Sequence, residues 1–169
     1  MSAEAPPPSV QDPESPEDIY LDPGGFHFGG GNVRLRTVLG SCIAITLWHP
    51  EKRIGGMCHY LLPRRPVGAR GASGFYGEEA MSLFLRHVER CGCRPVEFRP
   101  LLIGGGRMFR EGPFSVAQAN IDAGRLLLRE NGFPSPAEHV GGAGHRQVIM
   151  ELWSGRVVVT HHGPAAGGG

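Results

Sequence analysis

Between residues 33 and 63 three runs of strand-forming residues follow one another with only turns between them, and this spacing constrains the fold most tightly. Val33, Leu35 and Thr37 alternate with Arg34 and Arg36, the period of a strand with one buried face. Gly40-Ser41 interrupts, and Ile43-Ala44-Ile45-Thr46-Leu47-Trp48 forms a second run. After the polar turn His49-Pro50-Glu51-Lys52-Arg53, a third run begins at Ile54 and stops at Pro63. The last two runs read as a hairpin, residues 42–48 against 54–62.

The remainder alternates between helical and strand patterns. Over residues 76–91, Ala80, Met81, Phe84, Leu85 and Val88 form a stripe at helical spacing. Glu78 and Glu79 stand in its first turn, Arg86, His87 and Arg90 near its last, and Gly92 follows as a stop. A strand is expected over 96–103, running into Gly104-Gly105-Gly106, and a second helix from near Ser115 to Asn131-Gly132. A second hairpin is expected from 148–152 and 156–160, with His161 and His162 as a frayed end. Hairpins with two separated helices predict an α+β domain with a largely antiparallel sheet.

The chain has 169 residues, enough for one domain of ordinary size. Residues 1–18 hold five prolines and almost no large apolar side chain, and are expected to form a disordered acidic leader. The folded domain is expected over 19–162 and a flexible glycine-rich tail over 163–169. Six of the 16 acids precede Arg34, the first base, which leaves 17 bases against 10 acids and a charge of +7 on residues 34–169. Such a domain favours an acidic partner. The leader lacks the basic start and apolar stretch of a signal peptide, and no apolar run reaches membrane-helix length, so the expected location is cytoplasmic, without membrane insertion. There Cys42, Cys58, Cys91 and Cys93 are expected to be reduced.

The chemistry-bearing constellation is Gly40-Ser41-Cys42 followed, one strand-turn-strand later, by His59. A free thiol titrates near 8.5, about the value at which a neighbouring base is needed to make it a nucleophile at neutral pH. If paired residue numbers sum to 101, Cys42 lies opposite His59; if they sum to 103, the two are diagonal neighbours, and either sum puts both on one face. Gly40 and Ser41 suit a tight turn whose N–H groups point outward, as an oxyanion hole requires. Thr37 could exchange a hydrogen bond with the far nitrogen of His59 and hold the ring without supplying a charge. Taken singly, Cys42 reads as inert core packing and His59 as a satisfied core or interface histidine.

The blocks Thr37-Val-Leu-Gly-Ser-Cys42, Ile54-Gly-Gly-Met-Cys-His59-Tyr-Leu-Leu-Pro63, Tyr76-Gly-Glu-Glu-Ala-Met81, Ile103-Gly-Gly-Gly, Val140-Gly-Gly and Arg146 resemble, in order and spacing, the CheD chemoreceptor glutamine deamidases. The resemblance covers about residues 33–160. It implies an α/β/β layered domain and a protein-glutamine glutaminase that converts selected glutamines of methyl-accepting chemotaxis receptors to glutamate with release of ammonia. It further implies Cys42 as nucleophile, His59 as base, Thr37 as third member, no cofactor, and a CheC-type phosphatase as a partner. The chain departs from the family pattern at Ala117 and Ala119, where only Asn120 is kept, at His139, where Asp is usual, and at Glu78.

Other readings stay open beside it. Cys58-His59, Cys91-x-Cys93, His139, His145 and His161-His162 could supply metal ligands, but none has the paired spacing of a structural zinc site, and no metal is expected. The glycine run at 104–106 lacks the rest of a phosphate loop and reads as a tight turn. The arginines are scattered without a nucleic-acid motif, so no nucleic-acid partner is expected. A regulatory binding protein that keeps the fold with little deamidase activity is the alternative from another class. Arg64, Arg65 and Arg70 in the loop after the His59 strand, and Arg107, Met108, Phe109 and Arg110 after the glycine run, are candidates for partner binding.

Overall fold

The structure, a computed structural model, describes residues 14–108 and 115–163. Phe109 and Arg110, most of the expected leader and nearly all of the expected tail lie outside the described residues. Among the described residues, nine strands form two sheets. The first holds β1 (Glu17–Tyr20), β3 (Val33–Leu39), β8 (His145–Glu151) and β9 (Val157–His162), in the order β1-β3-β8-β9. The second holds β2 (Phe26–Gly30), β4 (Ile43–His49), β5 (Ile54–Tyr60), β6 (Arg99–Gly104) and β7 (Ala137–Val140), in the order β2-β5-β4-β6-β7. Pairing is antiparallel except for β1 with β3 and β6 with β7. Two long helices, α1 (Gly77–Arg90) and α2 (Val116–Glu130), complete the domain. None of its described helices is long and apolar enough to cross a membrane.

Strand β4 decides the layering because it is buried on both faces. Ile43, Ile45 and Leu47 point toward the helices and pack with Met81, Phe84, Ile121 and Leu128, whereas Ala44 points into the space between the sheets with Leu35, Met57, Ile103 and Met150. A strand covered on both sides reads as a nearly continuous apolar run, as the sequence shows here. Strand β3 is covered on one side only, so Arg34 and Arg36 face out and pair with Asp18. The result is the α/β/β order that the family resemblance implies.

The helices begin and end where their residues dictate. The Ser115 side chain accepts the Gln118 N–H at 3.2 Å as the α2 N-cap, and Gly92 and Gly132 supply the positive φ after α1 and α2.

Several elements differ from expectation: β7 was not expected at all, and β8 starts at His145 and not at 148 because its pairing with β9 begins there. Strand β1 takes Glu17 and Asp18 from the expected leader, because Asp18 meets two arginines of β3 while Ile19 packs against the inter-sheet core. Strand β2 was hidden in a Gly-rich stretch whose Phe26 and Phe28 stack on His87 of α1. The strand expected from residue 96 starts at Arg99, because residues Pro95–Glu97 form a 3-10 turn closed by the Arg94 N–H donating to the Glu97 carboxylate. His161 and His162 are not frayed but pair in β9 with Arg146 and His145.

The paired glycines of β5 have a steric cause. A Cβ on Gly55 would meet the Leu47 carbonyl of β4, and one on Gly56 the His27 carbonyl of β2. Gly56→Ala is expected to destabilise the domain by about 3 kcal/mol, since neither neighbour is a flexible side chain. Urea unfolding checks this, and a midpoint equal to that of the unsubstituted chain would refute the packing argument.

Candidate active site

The hairpin pairs Ala44 with His59 and Ile43 with Tyr60, so paired numbers sum to 103. Cys42, two residues before Ala44, is therefore the diagonal neighbour of His59 and shares its face. That face looks into the space between the sheets, where Cys42 packs half-buried against the core that contains Ala44 and Met57. The turn at the other end of the hairpin fixes the sum. His49 pairs with Ile54, the Arg53 N–H donates to the His49 carbonyl at 2.8 Å, and Arg53 takes a positive φ.

Thr37 reaches His59 from the opposite sheet. Its Oγ1 lies 2.7 Å from His59 Nδ1 and 2.7 Å from the Leu21 carbonyl oxygen. A hydroxyl has one proton and a carbonyl can only accept, so Thr37 donates to Leu21 and accepts from Nδ1–H of His59. The neutral ring thus carries its proton on Nδ1 and leaves a lone pair on Nε2. That atom is buried and has no hydrogen-bond partner among the described residues. Both side chains are 2% exposed.

The backbone of His59 is fixed by the chain between β1 and β2, which sequence patterns did not single out. Gly24 N–H donates to the His59 carbonyl at 2.8 Å, and His59 N–H donates to Gly25 at 3.1 Å. The same segment supplies the Leu21 carbonyl. Without it, neither the position nor the tautomer of the ring would be set.

Electrostatics leave the pair neutral at rest. Burial pushes the His59 imidazole down from 6.5 to about 4 and pushes the Cys42 thiol up. An imidazole of this kind cannot serve as a standing cation for a thiolate, but it can take a proton as the thiol attacks. Among the other cysteines, burial pushes Cys58 up to about 12, on the helix-facing side of β5, and the Cys93 thiol donates to the Cys91 carbonyl at 3.6 Å.

The turn before β4 is held by its carbonyls. Gly106 N–H donates to Gly40 at 2.9 Å, Gly105 N–H to Cys42 at 2.9 Å, and the Asn120 side-chain amide to Ser41 at 3.2 Å. Among the described residues the N–H groups of Gly40, Ser41 and Cys42 make no backbone hydrogen bond in the turn. The glycine run is thus a clamp: a Cβ on Gly104 would strike the Cys42 carbonyl, and Gly104 and Gly105 both take positive φ.

Asn120, fully buried on α2, also donates to the Leu61 carbonyl at 2.8 Å, so one amide ties the cysteine turn to the chain just after His59. Arg146 anchors the glycine run from β8, donating to Gly104 at 3.3 Å, to Gly141 at 2.7 Å and to His139 Nδ1 at 2.8 Å. His139 takes this contact as a neutral acceptor in place of the usual acid.

The candidate binding residues fare differently. Arg65 is fully engaged: its guanidinium meets Glu79 at 2.9 Å, donates to the Ala69 and Gly71 carbonyls and stacks 4.5 Å above Tyr76. It shapes its loop and is not a free contact. Arg64 is exposed, with Glu78 no nearer than 3.9 Å, and Arg70 is exposed while its carbonyl accepts the Tyr76 hydroxyl. Met108 lies against Gly40 and is 45% exposed.

Among the described residues His49, Cys93 and Glu97 bring ligand atoms within 4.8 Å of one another. Their hydrogen bonds oppose a metal. His49 Nδ1 accepts the Lys52 N–H at 3.1 Å, whereas a ring binding through Nε2 must keep a proton on Nδ1, and Glu97 already accepts from Arg94 at 2.6 Å.

Residues 61–161 match the family model described as CheD chemotactic sensory transduction. The chain is 46% identical over 150 residues to the probable chemoreceptor glutamine deamidase CheD 3 of Dechloromonas aromatica, covering 86% of this chain and 88% of that one. It is 45% identical over 162 residues to the probable chemoreceptor glutamine deamidase CheD 1 of Chromobacterium violaceum, covering 92% and 84%. A probable chemoreceptor glutamine deamidase CheD of Pseudomonas syringae pv. syringae is 44% identical over 149 residues, covering 85% and 84%. With a family match over more than half its length and relatives this similar along nearly the whole domain, the chain belongs to the CheD family.

Proposed function

We propose that the protein deamidates glutamine side chains of chemotaxis receptors, with Cys42 as nucleophile, His59 as general base and acid, and Thr37 holding the imidazole. The observation that carries this reading is the fixed tautomer: Thr37 accepts from Nδ1–H and leaves Nε2 basic on the face shared with Cys42. His59 Nε2 takes the thiol proton as sulfur attacks the carboxamide carbon. The oxyanion gathers at the N–H groups of the turn before β4. His59 returns the proton to the departing nitrogen, ammonia leaves and a thioester forms. Water, deprotonated by His59, then cleaves the thioester to glutamate and thiol. Water is the only co-reactant, so the reaction calls for no cofactor. Arg64 and Arg70 stand exposed on the loop that follows the His59 strand, where an acidic receptor surface is the fitting partner. A CheC-type phosphatase remains a partner on family grounds alone.

Mass spectrometry of a receptor cytoplasmic fragment incubated with the protein tests the reading directly. Cys42→Ala is expected to abolish the mass gain of amide to acid, and the same substitution at Cys58, Cys91 or Cys93 to leave most of it. His59→Ala should lower turnover by about a hundredfold or more. It should leave alkylation of Cys42 near neutral pH almost unchanged, because the resting imidazole is neutral. A parallel fall in alkylation would show a standing thiolate–imidazolium pair and overturn the neutral-pair mechanism. Thr37→Val should lower turnover with the buried Nδ1–H unpaired, and Thr37→Ser should restore it.

The pH dependence follows from the sign of the His59 shift. Its folded value lies below its ordinary 6.5, so the unfolded chain takes up the proton first on acidification. The stability this group lends is whole above 6.5 and is lost as pH falls toward about 4, roughly 3 kcal/mol in all. Unfolding measured across that window should show a loss that His59→Gln removes. An equal loss in the variant would assign the acid sensitivity to other groups.

Asn120→Asp replaces an amide that faces two carbonyl oxygens with a carboxylate that can only repel them. Turnover is expected to collapse, while Asn120→Ser should keep part of it by retaining a donor. Equal activity in the two variants would show that the tether between Ser41 and Leu61 is dispensable.

A further inference from the structure

At the end of the sandwich away from Cys42, the two sheets leave a cavity of about 380 Å3 between them. Trp48, which lines it, stands six residues along β4 from Cys42, about 20 Å at the rise of a strand. Ile43, Ile45 and Leu47 face the helices, so Thr46 and Trp48 face the space between the sheets. Thr46 pairs with Leu101 and Trp48 with Arg99, which puts these four side chains on one wall. The turn after β8 and the first residue of β9 close the opposite side with Gly155, Arg156 and Val157.

Three polar groups of this cavity have no partner among the described residues. Thr46 is 2% exposed, and its hydroxyl makes no hydrogen bond there. Valine would fill the same strand position without a polar atom to satisfy, so the hydroxyl serves what enters the cavity. Arg99 and Arg156 are exposed at the mouth and make neither an ion pair nor a side-chain hydrogen bond among the described residues. Glu151, the acid of the adjoining turn, accepts the Ser154 hydroxyl at 2.8 Å and pairs with neither arginine.

The walls between these groups are apolar and set in advance. Trp48 donates its indole N–H to the Leu152 carbonyl at 3.3 Å, and the Gly155 backbone lies against the ring, where a Cβ would strike it. The turn is held by the Gly155 N–H, which donates to the Glu151 carbonyl at 2.8 Å, and by the Glu151 N–H, which donates to the Arg156 carbonyl at 2.9 Å. A preformed apolar cavity with a few convergent polar groups is the ordinary form of a small-molecule site.

We propose that the cavity binds a small aromatic phosphate monoester. The phosphate lies between Arg99 and Arg156, the ring against Trp48, Leu101 and Val157, and a polar atom at the far end of the ring on the Thr46 hydroxyl. Charge selects the head, since two guanidinium groups match a dianion and each can bind phosphate through two parallel N–H groups. Length selects the far end. The Trp48–Arg99 row and the Thr46–Leu101 row are two residues apart, about 7 Å, which suits one ring carrying a substituent at each end. The proposal is independent of the catalytic assignment, and its readout is not turnover.

The test is calorimetric titration of the full chain with 4-hydroxyphenyl phosphate, phenyl phosphate and inorganic phosphate. One saturable site is expected, filled several-fold more tightly by 4-hydroxyphenyl phosphate than by phenyl phosphate, and far more weakly by inorganic phosphate. Arg99→Gln and Arg156→Gln should each weaken both esters about tenfold or more, and Arg86→Gln, exposed on α1, should leave them unchanged. Thr46→Val should abolish the preference for the hydroxylated ester while phenyl phosphate binds as before, which also shows that the variant keeps its cavity. No saturable binding of either ester would overturn the proposal, as would binding that the Arg99 and Arg156 variants leave intact. Inorganic phosphate bound as tightly as the esters would replace it with a small-anion site. An undiminished preference in Thr46→Val, or loss of both esters together, would overturn the placement of the far end on Thr46.

Discussion

The hydrogen bond from His59 to Thr37 joins the two sheets across the core between them, and the chemistry proposed for this protein rests on it. Its strength matters less than its direction. Because the hydroxyl proton is committed to Leu21, the imidazole must donate, and the nitrogen left over is the basic one. A threonine achieves this without a charge. An acid in its place would favour imidazolium in a buried site, whereas the hydroxyl keeps the ring neutral until a proton is delivered to it.

Around that bond the backbone, not side-chain packing, sets the geometry. The turn that carries Cys42 is gripped by its carbonyls, from the glycine run on one side and Asn120 on the other. Backbone N–H groups in such a turn are the ordinary means of stabilising an oxyanion, and the grip on its carbonyls holds the turn in place. The glycines are needed because the two stretches of backbone approach closer than a Cβ allows. Arg146 extends the clamp to β8, so both sheets contribute to holding one turn.

Much of this was legible in the sequence, and the limits have physical causes. The β4–β5 hairpin and both helices followed from period and turn chemistry. The register that puts Cys42 and His59 on one face did not, because β4 is apolar on both faces and offers no alternation to fix the sum. The turn at residues 50–53 fixed it through its own hydrogen bond and the positive φ of Arg53. Strands β1, β2 and β7 carry no clear period because they are short and are stabilised by distant partners: Asp18 by arginines of β3, Phe26 and Phe28 by His87, and Glu138 by Arg125. Arg65 looked like a free surface charge because nothing in the order of residues shows that Glu79 and Tyr76 enclose it.

The sequence by itself determined which residue types were present for the chemistry, a hairpin able to put a thiol and an imidazole on one face, and the family. Those properties are local, or carried by blocks of residues whose spacing survives without coordinates. Only the tertiary structure decided the tautomer of His59, the neutral resting state of the pair, and the role of Asn120 and the glycine run. Each depends on burial or on a hydrogen bond between residues far apart in the chain, as with Leu21, Thr37 and His59. A sequence lists donors and acceptors, but which ones meet, and whether water is excluded where they do, is settled when the sheets close on each other.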